Sequence, residues 1–322
     1  MQRYIAVRLL SAIPTLLGVV TLVFIVMRLV PGTIVDQILA SGDTSEEVQR
    51  SLRAYFGLDR PLYVQYFQYL GSLLTGDLGV SWRARFPTLD LILYALPVTL
   101  QLASMAAIVS MVVGIGFGVL SAVKENTPLD HVVRVLSLFS MSMPVFWQAT
   151  MLILVLSLWL RWAPLGYVDP FTDLGKNLSL MILPAVTLGT SASASVMRMT
   201  RSCLLDVLRQ DYIRTAQAKG LRERTVVVRH AIRNALVPVV TILGLQVGSL
   251  LGGSVIVESV FGLPGIGMLI LNGIGMRDYP IVQGTVIVTA VMFMATNLLV
   301  DVLYGYLDPR IRHNQSAGSG RA

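Results

Sequence analysis

The feature that most constrains this chain is a set of six stretches without a charged residue, each nineteen or more residues long. An α-helix rises about 1.5 Å per residue, so each stretch can cross the roughly 30 Å of hydrocarbon in a bilayer. The sequence therefore predicts an all-α integral membrane protein with six transmembrane helices. The six stretches are Leu9–Met27, Leu91–Val123, Val135–Leu160, Asn177–Met197, Asn234–Val257 and Tyr279–Val300.

The composition agrees with a membrane protein and excludes other classes. Hydrophobic residues make up 54% of the chain and charged residues 13%, which is outside the balance of soluble globular enzymes and of disordered chains. Arg3 and Arg8 precede the first stretch, as in a secretory signal. That stretch is too long for a signal and lacks a small-x-small cleavage site. We therefore expect residues 1–30 to form a retained transmembrane helix.

The distribution of Lys and Arg predicts the orientation of the helices. Sixteen of the 25 Lys and Arg residues lie on one side, nine of them in the 198–233 loop. Eight lie on the opposite side, five of them in the long 31–90 segment, together with eleven acidic residues. Because positive residues concentrate in cytoplasmic loops, both termini are predicted to be cytoplasmic. The net charge of +7 then reflects topology and lipid contact, and it gives no reason to expect a nucleic-acid partner.

The connecting segments complete the predicted organisation. Residues 31–90 form a long extracytoplasmic segment, residues 91–305 a transmembrane domain and residues 306–322 a cytoplasmic tail. Within the transmembrane domain, residues 198–235 form a cytoplasmic loop between the fourth and fifth spans.

Two short amphipathic helices are predicted in the 31–90 segment. The run TSEE at 44–47 is a capping box that opens the first helix, and Gly57 ends it. The second helix begins after Pro61 and places apolar residues at i, i+3, i+4 and i+7. These faces either pack within the segment or on the membrane surface, or they bind an extracytoplasmic partner. The apolar residues of the second helix are Tyr63, Tyr66, Phe67 and Leu70.

The basic 198–235 loop is the most informative segment for function. Ala216 and Ala218, with helix-forming residues around them, predict a short helix. It ends at Gly220, because a residue without Cβ permits a left-handed turn. The loop would project into the cytoplasm as a helix–turn–helix elbow. The alternative is a basic loop that only sets the topology and contacts lipid headgroups.

The sequence lacks the motifs of the common catalytic and metal sites. One cysteine, Cys203, and three histidines are too few for a cysteine-rich zinc site or an iron–sulfur cluster. None of the three lysines lies in a G-x-x-x-x-G-K-S/T phosphate-binding loop. The hydrolase motifs H-E-x-x-H and G-x-S-x-G are absent as well. We therefore expect no catalytic residue, no metal and no cofactor in this chain.

Polar residues within the spans are candidates for a translocation path or gate. Charges lie only at span ends, at Arg28, Glu258 and Asp301, whereas coupled transporters hold carboxylates near the midplane. Interhelical hydrogen bonding explains the Ser and Gln candidates equally well, and Glu258 can instead cap the fifth span at the membrane interface. The candidates are Ser191, Ser193, Ser195, Gln246, Ser249 and Glu258.

Glycines at helical spacing predict close helix packing, since they let two backbones approach. Pro144 and Pro184 are predicted to kink the third and fourth spans. The predicted packing positions are Gly114 and Gly118 in the second span and Gly244, Gly248 and Gly252 in the fifth.

Residues 211–221, DYIRTAQAKGL, resemble the cytoplasmic EAA loop of permease subunits in binding-protein-dependent ABC importers. The chain looks most like the first of the two paired permeases in the dipeptide, oligopeptide, glutathione and nickel group. Arg214 and Thr215 stand where the generic motif has Glu and Ala. Further similar motifs are GLDRPLYVQY at 57–66, GDLG at 76–79, SMPVFW at 142–147, FGLPGIG at 261–267, RDYP at 277–280 and DPR at 308–310.

This resemblance implies that the loop helix docks in a cleft of a cytoplasmic ATPase and couples ATP hydrolysis to transport. It also implies a second homologous permease, two ATPase subunits or one fused ATPase, and an extracytoplasmic binding protein that contacts residues 31–90. ATP and Mg would bind to the partner subunits, in a bacterial plasma (inner) membrane. The implied coupling residues are Asp211, Arg214, Thr215, Ala216, Ala218, Lys219, Gly220 and Arg222.

The implied function is that of a permease forming half of the path for a peptide-like substrate. A dipeptide or oligopeptide is the first expectation, and glutathione or nickel is also compatible with the group. The alternative is a channel or secondary transporter that works without an ATPase. The missing mid-span charges and the arginine-rich loop both count against this alternative.

Overall fold

The structure, a computed structural model, describes residues 2–30, 32, 35–36, 46–55 and 57–307. These residues are helical apart from turns, loops and one isolated β-bridge between Val80 and Pro87, which confirms the predicted all-α class. A three-residue α-helix at Glu223–Thr225 and a π-helical segment at Val226–Ala231 lead into α9. The helices are α1 (Gln2–Leu29), α2 (Glu46–Tyr55), α3 (Leu62–Leu74), α4 (Thr88–Val123), α5 (Pro128–Ser142), α6 (Val145–Leu160), α7 (Leu174–Leu208), α8 (Asp211–Ala218), α9 (Ile232–Phe261), α10 (Ile266–Gly275) and α11 (Tyr279–Leu307).

The described helices agree with a chain that crosses a membrane several times. Five of them are long and apolar enough to span it alone, and two bent helix pairs raise the number to as many as seven. Five of the six predicted stretches lie within single continuous helices, namely α1, α4, α7, α9 and α11. The continuous candidate spans are Ala6–Leu29, Thr88–Val123, Leu174–Leu208, Glu223–Gly252 and Tyr279–Val300.

The third predicted stretch, Val135–Leu160, is not one kinked helix. α5 ends at Ser142 and α6 begins at Val145, and the two helices meet at an angle of 109°. Pro144 has no backbone N–H, and its ring disfavours helical geometry at the preceding residue. Met143 is accordingly extended (φ −84°, ψ 131°), so the chain turns sharply where the sequence predicted a kink. Pro184, in contrast, lies inside a helix that continues through it.

The chain forms two compact units. The larger one, the large unit, contains residues 100–263 and 295–307, and α7 is its central helix because it packs against α5, α6 and α9. In the most apolar stretch of α7, 61% is buried inside the protein, whereas in that of α1 only 11% is buried. Asp173 starts α7 by accepting a hydrogen bond at Oδ1 from the Lys176 N–H, over 2.9 Å.

Close packing in the large unit depends on glycines of α4 and α9. A Cβ at Gly114 would lie 2.6 Å from the Val196 Cβ, and a Cβ at Gly118 would lie 2.6 Å from the Thr200 Cβ. A Cβ at Gly244 would overlap the side chain of Val300.

The two other predicted packing glycines differ from each other. Gly248 is buried, whereas a Cβ at Gly252 would meet no described atom within 4 Å. Gly252 is therefore not a packing glycine among the described residues, although it continues the i, i+4 spacing from Gly244 and Gly248.

The small unit contains residues 2–99 and 264–294. Within it, the Ser81 hydroxyl donates to Asp278 Oδ2 over 2.6 Å, and the Ile266 N–H donates to Thr99 Oγ1 over 2.8 Å. Asp278 is fully buried, and burial raises the pKa of its carboxyl group, although the Ser81 hydrogen bond opposes this effect. These bonds connect residues that are far apart in the sequence.

Both helices predicted in the 31–90 segment are present. α2 begins at Glu46, and Gly57 follows its end with a φ of +64°, whereas Thr44 and Ser45 of the capping box lie outside the described residues. The predicted apolar face of α3 is only partly covered by the described residues. Tyr63 and Phe67 are each 67% exposed, whereas Gln65 is buried. The i, i+3, i+4 pattern identified the helix and missed that a polar residue is the buried one.

We predict that Gly114→Val lowers the thermal midpoint of the purified protein, because overpacking a tight contact costs about 1–3 kcal/mol. Gly116→Val is the matched control, since a Cβ at Gly116 meets nothing within 4 Å in the described structure. Both changes carry the same loss of helix propensity, so that term cancels. Differential scanning fluorimetry in detergent measures the difference. Equal midpoints would show that the contact of α4 with α7 is not tight.

Candidate functional site

α8 connects α7 to α9 through two tight turns in the large unit. α7 ends at Leu208, and the extended Gln210 (φ −77°, ψ 149°) separates it from the first residue of α8, Asp211. At the other end Gly220 has a φ of +77°, which is the left-handed turn that the sequence predicts there. The first part of the predicted loop, residues 198–208, is a continuation of α7. The elbow itself is thus shorter than the predicted loop.

One side of α8 is part of an apolar cluster of the large unit, here called the coupling cluster. Ile213 is fully buried and Ala216 is 9% exposed, so both side chains face the chain's own core. Burying an isoleucine side chain contributes about 1.5–3 kcal/mol, which holds a helix of only eight residues in place. The members are Ala122, Leu204, Leu205, Ile213, Ala216, Val226, Ala231 and Ala235.

The opposite side of α8, with the turn after it, is exposed and forms what we call the docking face. Arg214 Nη1 lies 3.6 Å from Asp211 Oδ1, and the side chains of Asp211 and Arg214 are 96% and 74% exposed. An exposed ion pair of this kind contributes only about 0–1 kcal/mol, so both side chains stay available to a partner. The docking face therefore contains seven of the eight predicted coupling residues, and Ala216 packs inward instead. Its members are Asp211, Arg214, Thr215, Ala218, Lys219, Gly220 and Arg222.

A buried ion pair lies close to the same end of α7 in sequence, and the sequence analysis missed it. The fully buried Asp130 of α5 accepts two hydrogen bonds from Arg201 of α7, from Nε to Oδ1 over 2.9 Å and from Nη2 to Oδ2 over 2.8 Å. Ser121 donates to Oδ1 over 2.5 Å, and the Asn126 N–H donates to Oδ2 over 3.1 Å. The carboxylate therefore joins α4, α5 and α7. Its partner Arg201 lies three residues before Leu204 of the coupling cluster.

The Asp130–Arg201 pair carried only a weak signal in the sequence. Thr127 and Pro128 are the N-cap and first residue of a helix, and the Thr127 hydroxyl accepts from the Asp130 N–H over 3.4 Å. An acidic residue at this position reads as an ordinary favourable charge in a first helical turn. Its pairing with Arg201, 71 residues further along the chain, depends on tertiary packing.

Two further contacts lie at α8 and at the residues that lead into it. Arg209 Nη2 lies 3.0 Å from Glu125 Oε1, with both side chains substantially exposed. At the far side of the elbow, the Asn234 amide donates to the Tyr212 hydroxyl over 2.9 Å. The elbow is therefore attached to α9 as well as to α7.

The polar residues proposed as path candidates are connected by hydrogen bonds within the large unit. Gln246 Nε2 donates to Ser195 Oγ over 2.6 Å and to the Ala192 carbonyl over 2.7 Å. Ser110 donates to Gln246 Oε1 over 3.4 Å. Gln246 thus bridges α9 to both α7 and α4. These bonds are of the kind that polar residues form between packed membrane helices, with or without a role in a translocation path.

The remaining path candidates differ in exposure. Ser193 is buried and bonds to the Thr190 carbonyl of its own helix, Ser191 is half-buried, and Ser249 is exposed. Glu258 is fully buried in the last turn of α9, a position that both the gate and the interfacial interpretation allow.

No group of three or more His, Cys, Asp or Glu side chains in the described part of the chain is arranged to hold a metal ion. Cys203 is a half-buried free thiol beside the coupling cluster.

Comparison with known proteins identifies the family. Residues 114–313, which contain α8, the coupling cluster and the Asp130–Arg201 pair, match the family described as binding-protein-dependent transport system inner membrane component. Residues 1–103 match the N-terminal family of the same membrane components. The chain belongs to this permease family. It is a multi-pass membrane protein and a permease subunit of an ATP-driven importer.

The relatives of this permease match it over nearly its whole length. The dipeptide transport system permease protein DppB of Escherichia coli K12 is 40% identical over 339 residues, covering 98% of this chain and all of the relative. The oligopeptide permease AppB of Bacillus subtilis is 40% identical, covering 97% and 100%. The glutathione permease GsiC of Escherichia coli O6:H1 is 39% identical with the same coverage.

A solved structure supports the fold. A chain of the inward-facing MetNI methionine ABC transporter, in the CY5 native crystal form, aligns with a TM-score of 0.57 at 19% identity. The alignment covers 68% of this permease and 97% of that chain. At this identity the likeness concerns the fold only.

We predict that Asp130→Asn lowers the thermal midpoint far more than Glu125→Gln does. Removing one partner of a buried pair leaves an uncompensated charge, and we expect a loss of about 2–3 kcal/mol because Arg201 keeps 21% exposure. Breaking the exposed Glu125–Arg209 pair costs only about 0–1 kcal/mol. Unfolding of the detergent-purified variants, followed by fluorescence, measures both changes. A smaller effect at Asp130 than at Glu125 would contradict the structural role of the buried pair.

Proposed function

We propose that this permease is one of two homologous permease subunits of a peptide importer, and that ATP is hydrolysed by cytoplasmic ATPase subunits docked on α8. The observation that carries the proposal is the two-sided character of α8. One side is locked into the coupling cluster by Ile213 and Ala216, whereas the other presents exposed basic and small residues. A short helix held in this way can transmit a push from a partner to α7 and α9.

The docking face fits an acidic cleft. Arg214, Lys219 and Arg222 are exposed, and exposed positive residues that meet carboxylates of a partner set its register and accelerate its association. Thr215 and Ala218 are small and exposed, which permits close approach of a partner's surface. In this proposal ATP and Mg bind to the ATPases, which are two subunits or one fused chain.

The proposed topology has six transmembrane helices with both termini in the cytoplasm of a bacterial plasma (inner) membrane. The charge distribution supports it, since nine Lys and Arg residues lie between 198 and 233, around α8. The 31–90 segment is then extracytoplasmic and faces a substrate-binding protein. Exposed apolar side chains of α3, Phe67 at 67% and Leu74 at 89%, supply a surface for that protein.

The proposed substrate is a dipeptide or an oligopeptide, because relatives that match nearly the whole chain are named for peptide transport. Glutathione, named for one relative, is the second candidate. Nickel is a third candidate, through the sequence resemblance alone. The proposed path residues are Ser191, Ser195, Gln246, Ser249 and Glu258.

We predict that the double variant Arg214→Glu, Arg222→Glu abolishes coupling without preventing membrane insertion. Like charges placed against an acidic cleft cost several kcal/mol, so substrate-stimulated ATP hydrolysis by the assembled importer should fall about tenfold or more. Lys176→Glu is the charge-reversed control at an exposed position outside α8. Unchanged ATP-dependent uptake in the double variant would refute the coupling role. Uptake that needs no ATP would favour a channel or a secondary transporter.

The topology predicts opposite labelling of two exposed positions. In a Cys203→Ser background, Phe171→Cys should react with a membrane-impermeant maleimide in intact cells, because Phe171 is 99% exposed in the loop between α6 and α7. Thr215→Cys on α8 should react only after the membrane is permeabilised. Labelling of Thr215→Cys in intact cells would contradict the orientation.

A further inference from the structure

A cavity of about 590 Å³ lies within the small unit, between the end of α1 and the start of α3. Most of its lining is apolar, with one strongly basic side chain, that of Arg28. The α1 span ends at Leu29, so Arg28 lies at the depth where the hydrocarbon of the bilayer gives way to lipid headgroups. The lining residues used below are Phe24, Ile25, Arg28, Gln65, Tyr66 and Tyr279.

The guanidinium of Arg28 is held firmly and is incompletely paired. Its Nε donates to Gln65 Oε1 over 3.1 Å, and Gln65 Nε2 donates to the Arg60 carbonyl over 2.8 Å. Its central carbon lies 4.3 Å from the centroid of the Phe24 ring and 5.1 Å from that of Tyr279. These contacts orient the group and explain why Gln65 is the buried residue of α3.

One donor of this guanidinium has no acceptor among the described residues. Nη1 of Arg28 is buried, and no atom of the described structure accepts a hydrogen bond from it. A buried donor without a partner is expensive, and it is more so on a charged group. The planar guanidinium matches the geometry of phosphate or carboxylate oxygens. The arrangement therefore calls for an anion in the cavity.

The surroundings of the cavity are those of a lipid-facing surface. Only 11% of the most apolar stretch of α1 is buried. Four apolar or aromatic residues that line the cavity are exposed, namely Ile25, Leu29, Leu62 and Tyr63. An acyl chain can lie along these side chains while a phosphate reaches Arg28. A free hydrophilic anion gains nothing from them.

Among the described residues, the charged groups near the cavity carry a net positive charge. Nη1 of Arg277 donates to the carbonyl of Gly32, which is another lining residue. One carboxylate, Asp36, acts electrostatically on Tyr279, as do both Arg28 and Arg277. Two guanidinium groups against one carboxylate favour an anionic headgroup.

We propose that this cavity binds the phosphate of a membrane phospholipid through Arg28, with an acyl chain on the exposed surface of α1 and α3. The lipid completes the hydrogen bonds of Arg28 and fixes α3 against α1. This site is separate from the docking face and independent of which substrate is transported.

The test is native mass spectrometry of the full-length permease with its co-purifying subunits, delipidated in detergent and titrated with phosphatidylglycerol. The tightest-bound lipid should bind about tenfold more weakly to Arg28→Gln, as expected for the loss of one charge-assisted hydrogen bond. Arg53→Gln, a charge-matched control at an exposed position of α2, should retain wild-type affinity. Diacylglycerol, which lacks the phosphate, should bind equally to wild type and Arg28→Gln.

A second variant keeps the test decisive if Arg28→Gln does not assemble. Ile25→Trp retains the arginine and fills the cavity from an exposed position, so it should also release the lipid. Equal phosphatidylglycerol affinity in wild type and both variants would overturn the proposal. Displacement of the lipid by millimolar inorganic phosphate or by a dipeptide would overturn it too, because the site would then take a free anion or the substrate.

Discussion

A backbone that crosses hydrocarbon has no water to satisfy its N–H and C=O groups, so each span must be a helix that satisfies them internally. The long helices α1, α4, α7, α9 and α11 follow from this constraint. The same constraint makes it costly to interrupt a spanning helix, because backbone groups then lose their hydrogen-bond partners. Pro144 removes a backbone donor and produces a bend of 109°, and nearby Gln148 Nε2 donates to the Ser140 and Met143 carbonyls on the other side of the break. Polar side chains inside the large unit are thus used to restore bonds that the backbone has lost.

We propose that the permease is driven at the exposed loop that contains α8. α8 is short and would not be stable alone, because isolated helices of this length do not form in water. It is held by Ile213 in the coupling cluster, by the Tyr212–Asn234 hydrogen bond and by turns at both ends. The Asp130–Arg201 pair stiffens α7 close to that cluster. A force applied to α8 therefore acts on α7 and α9 together.

The sequence was sufficient for features that depend on local chemistry. Charge-free stretches located the helices, and Gly220 and Gly57 located left-handed turns. Of the eight coupling residues that the family resemblance implies, seven are exposed. The sequence failed where tertiary packing decides. Ala216 faces the core, the polar Gln65 is the buried residue of α3, and Asp130 pairs with a residue 71 positions away. Periodicity gives the faces of a helix and does not say which face is covered.

The most direct test of the coupling account is to place a photo-crosslinking amino acid at Thr215, an exposed position of α8, in the native membrane. The same amino acid at Phe171 serves as the control. Mass spectrometry then identifies each adduct. We expect position 215 to capture an ATP-binding subunit and position 171 not to capture one. Position 215 reacting only with lipid, or with no other polypeptide, would contradict the coupling role of α8.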